Sequence, residues 1–146
     1  MFTIEPAASA ADRELCYRIR MIVFVDEQRV PVEEEIDAHD ETDAAHVLGL
    51  EDGRAVATAR AVPHEGGCKI GRVAVLEHAR GRGHGAALIR HLVDAARERD
   101  ASHVVLDAQL NALGFYERLG FQAEGAVFDD AGIPHRRMIL RLSGKT

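Results

Sequence analysis

The 146-residue sequence is poor in several features that would each dictate a different kind of protein. It has only two cysteines, Cys16 and Cys68, far apart and without metal-ligand spacing. That excludes a disulfide framework and points to two reduced thiols. Basic residues are not in excess: 18 Lys and Arg stand against 24 Asp and Glu, for a formal net charge of −6. This argues against a broad nucleic-acid or anionic-membrane surface. No apolar run approaches the roughly 20 residues of a spanning helix, and the start "MFTIEPAASAADREL" lacks the basic flank and apolar stretch of an export signal. A cytoplasmic location is the expectation. Among the eight histidines, His39 and His46 lie near Asp37, Asp40 and Asp43, but no helix spacing or H-E-x-x-H pattern fixes them on one face. No metal is expected.

What is present is the balance of a globular protein, 47% apolar and 29% charged, at the length of one domain. "FTIEPA" reads as a strand. Ser9 can cap a helix running to about Val25, with Leu15, Ile19, Ile22 and Val23 on its apolar face. A turn-rich acidic loop follows. Asp52-Gly53 between two β-prone runs signals a hairpin, "CKIGRVAVL" is the next strand, and the helix from Gly83 to about Arg99 presents Leu88, Ile89, Leu92, Val93 and Ala96 on one face. "SHVVLDA" reads as a buried strand and "LNALGFYERLG" as a short helix closed by Gly120. "FQAEGAVFDDAGIPHRRMILRL" reads as two strands joined at Asp-Ala-Gly. The order β-α-β-β-β-α-β-α-β-β predicts a single α/β (α+β) three-layer domain, a mixed and mostly antiparallel sheet flanked by helices.

The stretch "RVAVLEHARGRGHGAALIRHLVDAA" places Gly81, Gly83 and Gly85 between a strand and a helix, where backbone N–H groups at a helix N-terminus suit a phosphate. A dinucleotide fingerprint needs G-x-G-x-x-G followed by an acid at the end of a later strand, and a P-loop needs a lysine; neither pattern is met. A tight packing turn and a phosphate cradle remain as readings of the glycines alone.

The pattern Arg80-Gly81-Arg82-Gly83-His84-Gly85, preceded by "GRVAVL", resembles motif A of the GNAT superfamily of N-acetyltransferases, R/Q-x-x-G-x-G/A. Downstream, "AQLNALGFYERLGF" resembles the A-x-x-F-Y-x-x-x-G-F helix and strand of the same superfamily, with Ala112, Phe115, Tyr116 and Gly120-Phe121 in register. "VFVDEQRVPVEEEIDAHD", "AAHVLGL" and "GIPHRRM" are similar to the ElaA-like branch.

The resemblance implies acetyl-CoA as cofactor. Amides of residues 82–86, including His84, Gly85 and Ala86, would meet its pyrophosphate. Arg80 and Arg82 would add charge there, and Gly83 and Gly85 would keep side chains clear. Main-chain groups of Val73, Ala74 and Val75 would align the pantetheine arm as an added strand, with the amide of Val75 or its neighbour facing the developing oxyanion. Tyr116 falls on the family's thiolate acid; its transfer to a thiolate is uphill by roughly 2 kcal/mol. Where many members carry a cofactor-bonding asparagine, this chain has Gln109, with Asn111 a second amide that could instead cap the short helix. Phe115 belongs to the same cofactor-side motif.

The general base has several candidates: Glu33, Glu34, Glu35 and Asp37 in the acidic loop, Asp107 beside the groove, and His135, the first choice because it titrates nearest neutrality. The acceptor is expected to be an amine of a small molecule or an exposed protein or peptide. Carboxylates from Glu33 to Asp43 favour a cation such as a polyamine, aminoglycoside or amino sugar. A non-catalytic acetyl-CoA sensor and a nucleotide-binding module are the alternatives, as are monomer and homodimer.

Overall fold

The computed structural model describes residues 1–142. Three tight turns organise it. Asp52-Gly53, Glu65-Gly66 and Ala131-Gly132 each put two consecutive residues at positive φ, from +46° to +88°. This pattern suits the right-handed twist of hairpin strands. The turns join β2 (Ala45–Glu51), β3 (Arg54–His64) and β4 (Gly67–Val75), and β6 (Gln122–Asp130) to β7 (Ile133–Arg141). With β1 (Phe2–Pro6) and β5 (His103–Gln109) they form one seven-stranded sheet, ordered β1-β2-β3-β4-β5-β7-β6. Every neighbouring pair is antiparallel except β4 and β5. The expected mixed, mostly antiparallel three-layer architecture is the one observed.

Helices cover both faces. Ser9 caps α1 (Ala10–Arg20), its hydroxyl accepting the Asp12 N–H at 3.0 Å. The chain does not continue as α-helix to Val25: it widens into a π-helix, Met21–Glu27, which closes with Gln28 N–H donating to Val23 O at 3.1 Å. The acidic stretch is not a plain loop either, because it holds two short helices, α2 (Val32–Glu35) and α3 (Ala38–Thr42). On the opposite face α4 (His84–Glu98) buries Leu88, Ile89, Leu92, Val93 and Ala96, the large ones each stabilising by about 1.5–3 kcal/mol. Strand alternation divides the two layers: Val47 packs with the α4 cluster, and Leu48 with Cys16, Ile19 and Val23 of the α1 layer. A further short helix, α5 (Leu113–Arg118), ends before Gly120, which at φ +98° is its expected left-handed stop.

The sheet comes apart in its middle. β4 and β5 pair only at Cys68 with Val104 and Lys69 with Val105. Just beyond, β4 has a bulge against β3: Arg60 faces Gly71 and Thr58 faces Ala74, so Ala59 opposes both Arg72 and Val73. Arg72 takes up the extra residue at φ +52°. A bulge bends its strand and adds twist, and here it steers β4 away from β5 just past the point where their pairing ends.

Candidate active site

The gap between the diverging strands opens a cavity of about 380 Å³, bounded by Val73 on β4, Asp107 and Gln109 on β5, Tyr116 on α5 and His135 on β7. Phe24 and Gln28 of the π-helical region and Glu34 of α2 form another wall.

Beyond β4 lies the glycine turn. Gly81 and Gly83 adopt φ +79° and +80°, and a Cβ on either would meet nothing within 4 Å. Glycine is there for its backbone, and the space in front is open. Gly83 is the N-cap of α4 and supplies no side-chain cap, which leaves first-turn amides for an anion. Open space, uncapped amides and a strand freed from its partner fit a phosphate-bearing cofactor with an extended amide arm. Gly85 differs from the expectation. A Cβ there would lie 3.8 Å from the Phe115 ring and 4.0 Å from Val75, so its clearance faces the protein and not the open turn.

The side chains of the turn have protein partners of their own. His84 points inward: its ring stacks on Phe2 at 3.8 Å and 9°, and Nε2 lies 2.6 Å from Glu51. Only its backbone belongs to the turn. Arg82 donates to the same Glu51 at 2.6 Å, and Arg82 together with His84 holds the Glu51 pKa down to about 2. Arg80 bridges Glu27 Oε1, at 2.6 Å, and Val75 O, at 2.8 Å. Both arginines expected to face phosphate are thus already ion-paired. Leu76 N–H donates to Val56 O, which removes that neighbour of Val75 as an oxyanion donor. Ala74 is buried in the α1 layer, so only its main chain can face the groove, and Ala86 sits half-buried in the first turn of α4.

At the other strand tip Gln109 Nε2 donates to Gln28 Oε1 at 3.0 Å. Asn111 is exposed in the 3-10 turn Leu110–Ala112. It caps nothing, because Ala112 is the N-cap of α5 and no side-chain cap bond is made. Phe115 meets Tyr116 edge-to-face at 4.9 Å, and burial pushes the Tyr116 hydroxyl pKa up. His135 Nδ1 lies 2.7 Å from Ile133 O, and the ring stacks on Phe128. Since a carbonyl only accepts, Nδ1 carries the hydrogen, and in the neutral ring Nε2 keeps the lone pair.

Three of the remaining base candidates, Asp107, Glu35 and Asp37, are committed elsewhere. Burial works to raise the Asp107 pKa, but Arg137 at 2.6 Å and Lys69 at 2.9 Å outweigh it and leave the carboxyl below its ordinary value. Glu35 receives buried Arg20 at 2.7 Å. Asp40 takes Arg20 through two bonds and Arg60 at 2.9 Å, and Asp37 takes Arg60 at 2.7 Å. Arg72 adds bonds to Glu35 O, at 3.2 Å, and Asp37, at 3.4 Å. The acidic segment therefore does not offer its carboxylates to an acceptor as expected, since three of them neutralise three arginines. Glu33 is exposed, and Glu34 is the carboxylate of this segment that reaches the cavity without an ion pair among the described residues. Among the described residues no three His, Cys, Asp or Glu side chains converge on a metal position, and no helix is long and apolar enough to cross a membrane. Both cysteines are free.

Residues 12–121 match the acetyltransferase (GNAT) family. The chain belongs to that family. The acetyltransferase is 36% identical over 124 residues to the uncharacterized N-acetyltransferase YjcF of Bacillus subtilis, covering 84% of this chain and 88% of that one. It shares its fold with an acyl-CoA N-acyltransferase from Pseudomonas aeruginosa, TM-score 0.84 at 32% identity over 96% and 98% of the two chains. Escherichia coli ElaA superposes with TM-score 0.86 at 29% identity over 97% and 100%. It is an N-acetyltransferase of the ElaA-like branch, in a family that uses acyl-CoA donors and acts on small-molecule or peptide amines.

Two residues with evident structural weight escaped the sequence reading. Arg72 was only a letter in "GRVAVL", and nothing about an arginine announces a positive φ. Gln28 stood in "VFVDEQ" as a family signature without a task.

Proposed function

We propose that this acetyltransferase moves the acetyl group of acetyl-CoA to a primary amine by direct attack, without an acyl-enzyme. The observation that carries this reading is the opening of β4 from β5 at the Arg72 bulge, with Tyr116 and His135 on the cavity it creates and β4 leading to the glycine turn. Bound acetyl-CoA would supply the activated thioester carbonyl. Uncapped amides at the start of α4, with Gly81 and Gly83 in front, would hold its pyrophosphate. Freed main-chain groups of Val73 to Val75 would align its arm, Gln109 would bond it, and Phe115 would pack beside it.

His135 is suited to take the proton of the attacking amine, because Nδ1 is committed to Ile133 O and Nε2 is the free basic position. Tyr116 is suited to protonate the leaving sulfur, because burial keeps its hydroxyl neutral at physiological pH. Glu34 and Asp130 line the cavity and form no salt bridge among the described residues, whereas Lys69 and Arg72 are both paired. That imbalance favours a cationic acceptor.

Two measurements test the proposal. Acetyl-CoA, and not ATP, should raise the thermal midpoint. A panel of polyamines, aminoglycosides and amino sugars, followed by release of free thiol, should yield turnover that Tyr116→Phe lowers. Stabilisation by acetyl-CoA with no turnover on any amine or lysate protein would instead indicate a sensor.

A further inference from the structure

The motif "VFVDEQ" marks this branch of the family, and the chemistry above makes no use of it. In the fold it forms the end of the π-helix, and its last two residues reach opposite sides of one groove. Glu27 receives Arg80, whose guanidinium also bonds Val75 O at the tip of β4. Gln28 Oε1 receives Gln109 Nε2 at the tip of β5. Adjacent side chains from one helix end thus hold both strands beyond the point where their own pairing stops at Lys69 and Val105.

We propose that Gln28 is a positioning residue that fixes the Gln109 carboxamide to receive the pantetheine arm of acyl-CoA. This rests on the reading that acyl-CoA occupies the β4–β5 groove. Glutamine at 109 is one methylene longer than the asparagine that many members carry there, so it has one more rotatable bond to order when a ligand arrives. Gln28 removes that freedom in advance. A carboxamide has its donor and acceptor on opposite sides. With Nε2 committed to Gln28, Oε1 is left with free lone pairs at the edge of the cavity that both residues line. A pantetheine arm carries two secondary amides whose N–H groups need such an acceptor. Fixing the acceptor beforehand lowers the ordering cost of binding.

Gln28 is itself well held. Its own N–H closes the π turn onto Val23 O at 3.1 Å, and Glu27 anchors the neighbouring position on Arg80. A π turn closes on i−5, not i−4, and so alters which direction the following side chains face; such turns gather at functional sites. Here the direction obtained is toward the tip of β5.

Calorimetric titration with CoA tests this without an acceptor amine. Gln28→Ala is expected to weaken CoA about 3- to 10-fold, the range of one net hydrogen bond, and to leave adenosine 3′,5′-bisphosphate, which lacks the arm, within about twofold. Gln28→Glu keeps an oxygen for Gln109 Nε2 and should recover most of the loss. In a Gln109→Ala background Gln28→Ala should add nothing, because its effect passes through Gln109. Wild-type CoA affinity in Gln28→Ala, equal weakening of CoA and the bisphosphate, or an undiminished effect in the Gln109→Ala background would each overturn the proposal. If Gln28→Ala does not fold, Gln28→Glu against Gln28→Met makes the same comparison. A wild-type protein that binds no CoA at all would instead overturn the cofactor reading on which this rests.

Discussion

Arg20 and Asp40 meet twice in the interior, Nη1 to Oδ1 at 2.8 Å and Nη2 to Oδ2 at 2.9 Å, with neither side chain reaching solvent. They are the centre of a balanced cluster in which Glu35, Asp37 and Asp40 face Arg20, Arg60 and Arg72. Removing one partner strands a buried charge. Asp40→Ala is expected to cost about 3–5 kcal/mol in urea unfolding, whereas Asp43→Ala, on the exposed side of the same segment, should stay within about 0.5 kcal/mol.

Acid should find the same cluster. Burial favours the neutral form of Asp40, but bonds from Arg20 and the Asp37 amide outweigh it and hold its pKa well below the usual carboxylate range. Its folded-state pKa is depressed, so its stabilising contribution is complete above the unfolded value near 4 and is lost as pH falls below that. Unfolding midpoints between pH 5 and 2 should therefore fall more steeply in the wild type than in Asp40→Asn.

His46 adds a second pH dependence at milder acidity. It is buried, neither ring nitrogen has a hydrogen-bond partner among the described residues, and Nε2 lies 3.6 Å from Asp40. Burial lowers its pKa, with Arg20 and Arg60 adding to this against the pull of Asp40. Below pH ~6.5 the unfolded chain takes up this proton before the folded one, so stability drops on acidification by at most about 1.4 kcal/mol per pH unit. Substituting His46→Gln should flatten the stability curve between pH 6.5 and 5.

Much of the architecture was legible because its signals are local. Asp52-Gly53 announced a hairpin, Ser9 a helix start, and Leu88 to Ala96 a helix face, each within a few residues. The inward-turned carboxylates were not legible. Arg20 and Asp40 are 20 residues apart, and in a one-dimensional string a carboxylate facing solvent reads the same as one facing a buried guanidinium. The ring of His84 was illegible for a related reason: its direction depends on Phe2 and Glu51, from strands read separately.

The glycine turn separates two meanings of glycine. Alanine at Gly81 or Gly83 must occupy a left-handed backbone and should cost about 1–2 kcal/mol. At Gly85 the added methyl would make ordinary contacts with Phe115 and Val75, so Gly85→Ala should hold or raise the thermal midpoint and leave CoA affinity within about threefold.

Tyr116→Phe keeps the ring contacts with Phe115 and Phe121 and removes only the hydroxyl. Turnover on any accepted amine should fall about 10²-fold or more with CoA affinity unchanged. Loss of the basic limb of the kcat profile in this variant would mark Tyr116 as the acid.

The departure of β4 from β5 also has a colloidal consequence. Two strands that part company inside a sheet each leave an edge in the middle of the molecule, where unpaired amides and carbonyls could template a foreign strand. Proteins ordinarily protect such edges at their periphery with charge, bulges or covering segments. Here the bulge at Arg72, the short helix α2 on the cavity wall, and the tie from Gln28 to Gln109 stand around an edge at the centre. Any ligand that bonds along β4 would shield the protein from its own self-association as well as serve the chemistry.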